Sequence, residues 1–115
     1  MMLHVVLYEI RPDLSEDDRA RLHRTVESSL QAIPAVRRWT VGRRAELGLS
    51  YELRMQPGFG YAAVIEFDDR AALRDYLEHP GHADLAALFW SCSERTLVFD
   101  YEVIAGSDPT PSGAS

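Results

Sequence analysis

Lysine is missing from this 115-residue chain; all twelve basic residues are arginine. That excludes Schiff-base chemistry and a P-loop, both of which need a lysine amine. Cysteine is almost missing too. The lone Cys92 forbids an intramolecular disulfide, and no Cys cluster is available for zinc. Set between two serines, with no histidine near it in sequence, it reads as a packing residue rather than a nucleophile. Positive charge is in deficit, twelve arginines against eighteen acidic residues, for a net charge of −6. With no arginine run interleaved with aromatics either, the sequence speaks against a nucleic-acid partner. The opening run Leu3-His4-Val5-Val6-Leu7-Tyr8 is short and interrupted by polar groups. It has no basic segment before it and no cleavage-like site after it. The expectation is therefore no signal peptide, no membrane partner and a cytoplasmic location. No repeat of about 20–50 residues is visible.

What is present suits one globular domain. Hydrophobic residues make up 46% of the chain, and the length allows a single modest core. Residues 2–10 are apolar and β-branched, with His4, Val6, Tyr8 and Ile10 on one face and Leu3, Val5, Leu7 and Glu9 on the other. They predict a strand covered on both sides. Ser15 with Asp18 resembles a capping box, and the helix after it carries the stripe Leu22, Val26, Leu30 and Ile33. His23 lies off the centre of that stripe. Val36 to Arg44 predicts a second strand, with a bulge or bend at Gly42. Residues 45–60 read as a long connection holding a short strand from Tyr51 to Met55. Tyr61–Phe67 is the third strand. Asp68 or Asp69 caps a helix to Glu78, and Arg95–Ile104 is the last strand, again expected to be covered on both faces. Asp100 shares a face with Thr96, Val98, Glu102 and Ile104. The domain spans 1–105, and 106–115 is an expected disordered tail.

The acid–base chemistry gathers in Tyr76-Leu77-Glu78-His79-Pro80-Gly81-His82. Pro80 ends one helix at His79 and suits the first position of the next. His79 is then an N-cap, and His82 lies in the first turn, where the helix's positive end favours a neutral imidazole. Leu85, Ala86 and Phe89 follow at spacings of three, four and seven, so His82 faces the apolar side. Two readings stand: a structural histidine bonded to a carbonyl or carboxylate, or a general base at the mouth of an apolar pocket. His4 likewise reads as a pocket residue or as a polar group at the rim of a strand. A metal held by His79 and His82 is disfavoured, because the proline between them turns the rings apart.

The order β-α-β-(loop)-β-α-α-β is a ferredoxin-like α+β arrangement, βαββαβ, with a four-stranded antiparallel sheet and helices on one face. The uncovered face predicts a homodimer that packs sheet on sheet. Leu3-His4-Val5-Val6-Leu7, Ile33-Pro34-Ala35-Val36, the Tyr76–His82 run and Leu97-Val98-Phe99-Asp100-Tyr101-Glu102 together resemble the Dabb family, the stress-responsive dimeric α/β-barrel, over residues 2–104.

That resemblance implies a pocket between sheet and helices and a small hydrophobic ligand. It also implies an activity like that of the olivetolic acid cyclase-like polyketide cyclases, in which a poly-β-ketoacyl chain closes by an intramolecular aldol step. By resemblance His82 is the general base, Asp100 orients it, and Tyr76 hydrogen-bonds the substrate carbonyl. His4, Val6, Leu22, Val26, Leu85 and Phe89 are the expected substrate-binding residues. Where the cyclases carry a pocket tyrosine on the first helix this chain has Val26, and His23 and Ala87 differ as well, so the particular substrate does not carry over. The wider group includes haem-degrading monooxygenases with an Asn, Trp and His set; this chain has no asparagine. No cofactor is required by such a cyclase. Some members hold a structural divalent ion such as Mg on carbonyls at the end of the first helix, here Leu30, Ile33 and Val36. The competing reading is a non-catalytic, stress-responsive Dabb dimer in which Ala83, Ala86 and Ala87 only allow close packing.

Overall fold

Alternation along the first strand decides the architecture. In a computed structural model that describes residues 1–107, β1 (Met2–Ile10) buries every even-numbered residue and leaves every odd one half-buried. The buried side, with Met2, His4, Val6, Tyr8 and Ile10, faces the helices. β1 lies inside a four-stranded antiparallel sheet of order β2-β3-β1-β4, with β2 at Arg38–Arg43, β3 at Tyr61–Phe67 and β4 at Ser93–Glu102. Its neighbours contribute Ala63, Ile65 and Phe67, opposite Val6, His4 and Met2, to the same buried face.

Three helices cover that face. α1 (Glu16–Ala32) starts where the Ser15 side chain accepts the Asp18 N–H, and it buries Leu22, Val26 and Leu30. α2 (Arg70–Glu78) is capped by Asp69, whose carboxylate accepts the Ala72 N–H at 2.8 Å. It ends at His79, and α3 (Pro80–Cys92) begins at once. The His79 ring accepts the Gly81 N–H at 2.9 Å, so one residue closes one helix and caps the next. Cys92 is buried and unpaired in the core. This is the expected ferredoxin-like α+β fold.

Three local expectations are corrected. Tyr51–Met55 is no strand: a 3-10 helix occupies Ser50–Arg54. The Glu52 carboxylate accepts the N–H groups of Leu47 and Leu49 at 2.9 and 2.6 Å, so this backbone is satisfied locally and not in a ladder. Gly42 pairs with Ala62 in unbroken register; the irregularity lies at Glu9/Ile10 against β4. β1 and β4 are covered on one face only within the chain, because all three helices lie on the same side. Leu97, Phe99 and Tyr101 remain exposed on the other. The tail expected at 106–115 lies, from residue 108 onward, outside the described residues.

Candidate functional site

Where α2, α3 and the sheet converge they leave a cavity of about 330 Å³, within the size range of small-molecule sites. Its walls are mainly apolar: Val6, Val26, Leu30, Ala63, Ile65, Leu85, Ala86 and Phe89. Three polar rings break that wall at one end: His4 from β1, Tyr76 from α2 and His82 from α3. Leu77, Trp90 and Val98 line it as well and are themselves exposed, which gives the cavity a mouth.

Tyr76 stands between the two histidines. Its ring centroid is 4.7 Å from that of His82 and 5.8 Å from that of His4, edge-on in both cases. It is only 2% exposed, and burial pushes its hydroxyl pKa up to about 12. The phenol therefore stays protonated and able to donate at any ordinary pH. The His82 pKa is lowered, first by burial and second by the nearby His4, and partly restored by the Leu77 backbone. The helix N-terminus led to the same expectation, a neutral ring, but burial is the larger cause.

Asp100 is elsewhere than expected. Its carboxylate meets His4 Nδ1 at 2.5 Å and orients that ring, not His82. Register explains this. β1 and β4 pair so that His4 and Asp100 are direct cross-strand partners, and such partners hold their Cβ atoms about 5 Å apart on one face. With Nδ1 taken by the carboxylate, Nε2 is the remaining nitrogen of His4. Leu22 is the second correction. It is fully buried beneath α1 and takes no part in the cavity wall, whereas Val6, Val26, Leu85 and Phe89 do.

The sequence reading also missed wall residues. Tyr8 shares the alternation of His4 and Val6, and Trp90 lies eight residues after His82 on the same helix, so both had a signal. Leu77 had none. At the end of α1 the Ile33 carbonyl accepts the Val36 N–H at 3.1 Å, so this turn closes on a hydrogen bond of its own. Among the described residues no three His, Cys, Asp or Glu side chains group as metal ligands, and no helix is long and apolar enough to cross a membrane.

The family model for the Stress responsive A/B Barrel Domain, Dabb, matches residues 2–103. The chain belongs to the Dabb family. Olivetolic acid cyclase from Cannabis sativa is a relative, 20% identical over 98 residues that make up 85% of this chain and 92% of the cyclase. Among solved structures, the hydroxynitrile lyase of Passiflora edulis superposes with a TM-score of 0.78 at 22% identity, covering 94% of this Dabb chain and 96% of the lyase. A dimeric ferredoxin-like protein of unknown function from Thermobifida fusca superposes with a TM-score of 0.70 at 20% identity, covering 89% and 90%. At such identities the structural likeness carries the Dabb fold and not its chemistry.

Proposed function

We propose that this Dabb protein is a cofactor-independent acid–base catalyst of the cyclase or aldol type, acting on a small β-dicarbonyl substrate. The observation that carries the reading is the meeting of His82, Tyr76 and His4 at one end of an otherwise apolar cavity with a mouth. A methylene between two carbonyls is acidic enough for a neutral imidazole to deprotonate. His82 takes that proton, and the negative charge moves onto the enolate oxygen, where the Tyr76 hydroxyl donates a hydrogen bond. The enolate carbon then forms a bond to a distal carbonyl carbon of the same chain. The π pair of that carbonyl becomes an alkoxide, and the imidazolium returns its proton there. Every atom and electron pair is accounted for without a metal or an organic cofactor. His4, held by Asp100, orients a substrate oxygen through Nε2. Asp100 is thus a positioning residue for His4 rather than for the base.

A second reading, a non-catalytic ligand-binding Dabb protein, is favoured by one observation. The carboxylate that would orient a histidine base is engaged with His4. The experiment that decides is deuterium exchange at the central methylene of nonane-2,4-dione, followed by NMR. His82→Gln is expected to slow the protein-catalysed exchange by about a hundredfold or more. Exchange no faster than in buffer, or unchanged in the variant, leaves the binding reading.

We also propose a homodimer. Proteins of this fold described as dimeric are among the structural neighbours, and the open sheet face is built for burial. At its centre are Leu3, Val5, Leu7, Leu97 and Phe99. Its charges are neutralised in pairs, Arg38 with Glu66 at 3.9 Å and Arg95 with Glu9 at 4.0 Å.

A further inference from the structure

The cavity has a second polar end. Tyr8 forms part of its wall and is 1% exposed; four residues along β1 from His4, its Cα lies about 13 Å from that of His4. Its ring is clamped, stacked on Tyr61 with centroids 5.4 Å apart and met edge-on by Phe89 at 4.8 Å. Its hydroxyl lies 3.2 Å from His23 Nε2 on α1. Burial, and then Arg19, lower the His23 pKa, so that ring is neutral near pH 7. A neutral imidazole offers one donor and one acceptor, whereas a phenol offers one donor and two lone pairs. If His23 accepts, the lone pairs of Tyr8 stay free; if His23 donates, the Tyr8 proton stays free. Either tautomer leaves the buried hydroxyl with unused capacity. Thr96, the cross-strand partner of Tyr8, lies outside the cavity wall, and its hydroxyl is buried with no hydrogen-bond partner among the described residues. An apolar tail alone would leave that capacity of the Tyr8 hydroxyl unused.

We infer that Tyr8, positioned by His23, is a second substrate anchor, so that the substrate is an oxygenated chain carrying a hydroxyl or carbonyl at the end remote from the reacting dicarbonyl. This rests on the cavity being the dicarbonyl site proposed above. It narrows the substrate class from an alkyl-ended chain to one with oxygens at both ends, separated on the order of 10 Å.

Calorimetric binding of two matched probes tests it: nonane-2,4-dione and the same nine-carbon chain ended by a hydroxyl. The wild-type protein should bind the hydroxylated probe about tenfold more tightly. Tyr8→Phe, which keeps the ring packing, should abolish that preference. His23→Gln, whose amide can still reach the phenol, should retain most of it, and His23→Leu should lose it. A merely structural Tyr8–His23 pair would shift unfolding but not the ratio of the two affinities. Equal affinities in the wild type, or a preference that survives Tyr8→Phe, overturn the second anchor and leave the dicarbonyl site standing. If neither probe binds, the dicarbonyl site fails and the anchor with it. If the preference appears without catalysed deuterium exchange, the anchor stands and catalysis does not.

Discussion

One strand supplies both faces of the sheet, and the two faces solve opposite problems. On the helix side, β1 presents Met2, His4, Val6, Tyr8 and Ile10, all buried. Polar groups there are few, and three of them form specific contacts: His4 with Asp100, Tyr8 with His23, Tyr76 edge-on to His82. On the open side, Leu3, Val5 and Leu7 alternate with them and stay half-buried. There the charges cancel in pairs and the hydrophobic residues lack cover, with Phe99 still 47% exposed. Unused hydrogen-bonding capacity beside a cavity suits a ligand; apolar area framed by neutralised charge suits a protein surface. The contrast separates chemistry from assembly, and it can be attacked on each face.

The largest effect should follow from a charge placed on the open face. In a symmetric dimer Phe99→Glu enters the interface twice, and an uncompensated buried charge costs about 3–5 kcal/mol. The expected outcome by light scattering at micromolar concentration is a dimer for the wild-type protein and a monomer for the variant. A variant that stays dimeric at that concentration would place the interface elsewhere. Next in size is Leu22→Ala. Leu22 is fully buried but outside the cavity, so the cost should fall on stability, about 3 kcal/mol in urea unfolding. Nonane-2,4-dione should still bind the folded variant with wild-type affinity. A large loss of affinity would mean that the cavity reaches Leu22 as well as Val26 and Leu30 of α1.

Local features of this fold were legible because they depend on neighbours in sequence. Pro80 after His79 marked the junction of α2 and α3, and the cap at His79 formed as the spacing required. Period two put His4 on the face of Val6 and Tyr8, and Asp100 on the face of Val98. What sequence could not supply was register. Which histidine receives Asp100 depends on how β4 slides along β1, and the observed pairing sets Asp100 opposite His4. A shift of one residue would have turned the carboxylate to the other face. Leu22 failed for a related reason. A helical stripe tells which residues point inward, but not which of them end at a cavity and which at packed side chains. The second polar end was hidden as well, because His23 and Tyr8 meet only once α1 lies across the sheet.

The smallest expected effect concerns the two half-buried imidazoles, His82 and His23. His82 and His23 both have pKa values lowered mainly by burial, against an unfolded value of about 6.5. Between the lowered folded values and about pH 6.5, the unfolded chain therefore binds more protons than the folded one, and stability rises with pH there. The contribution is complete above about pH 6.5 and is lost as pH falls through the folded values. Since both rings are only half-buried, solvent screening keeps the effect small. Urea unfolding at a series of pH values from about 7 to about 5 should show His82→Gln and His23→Gln each with a shallower decline than the wild type, because glutamine does not titrate. Equal slopes in all three proteins would mean that the rings charge as freely when folded as when unfolded. His82 would then spend part of its time as imidazolium near pH 6, and its standing as a ready proton acceptor would weaken with it.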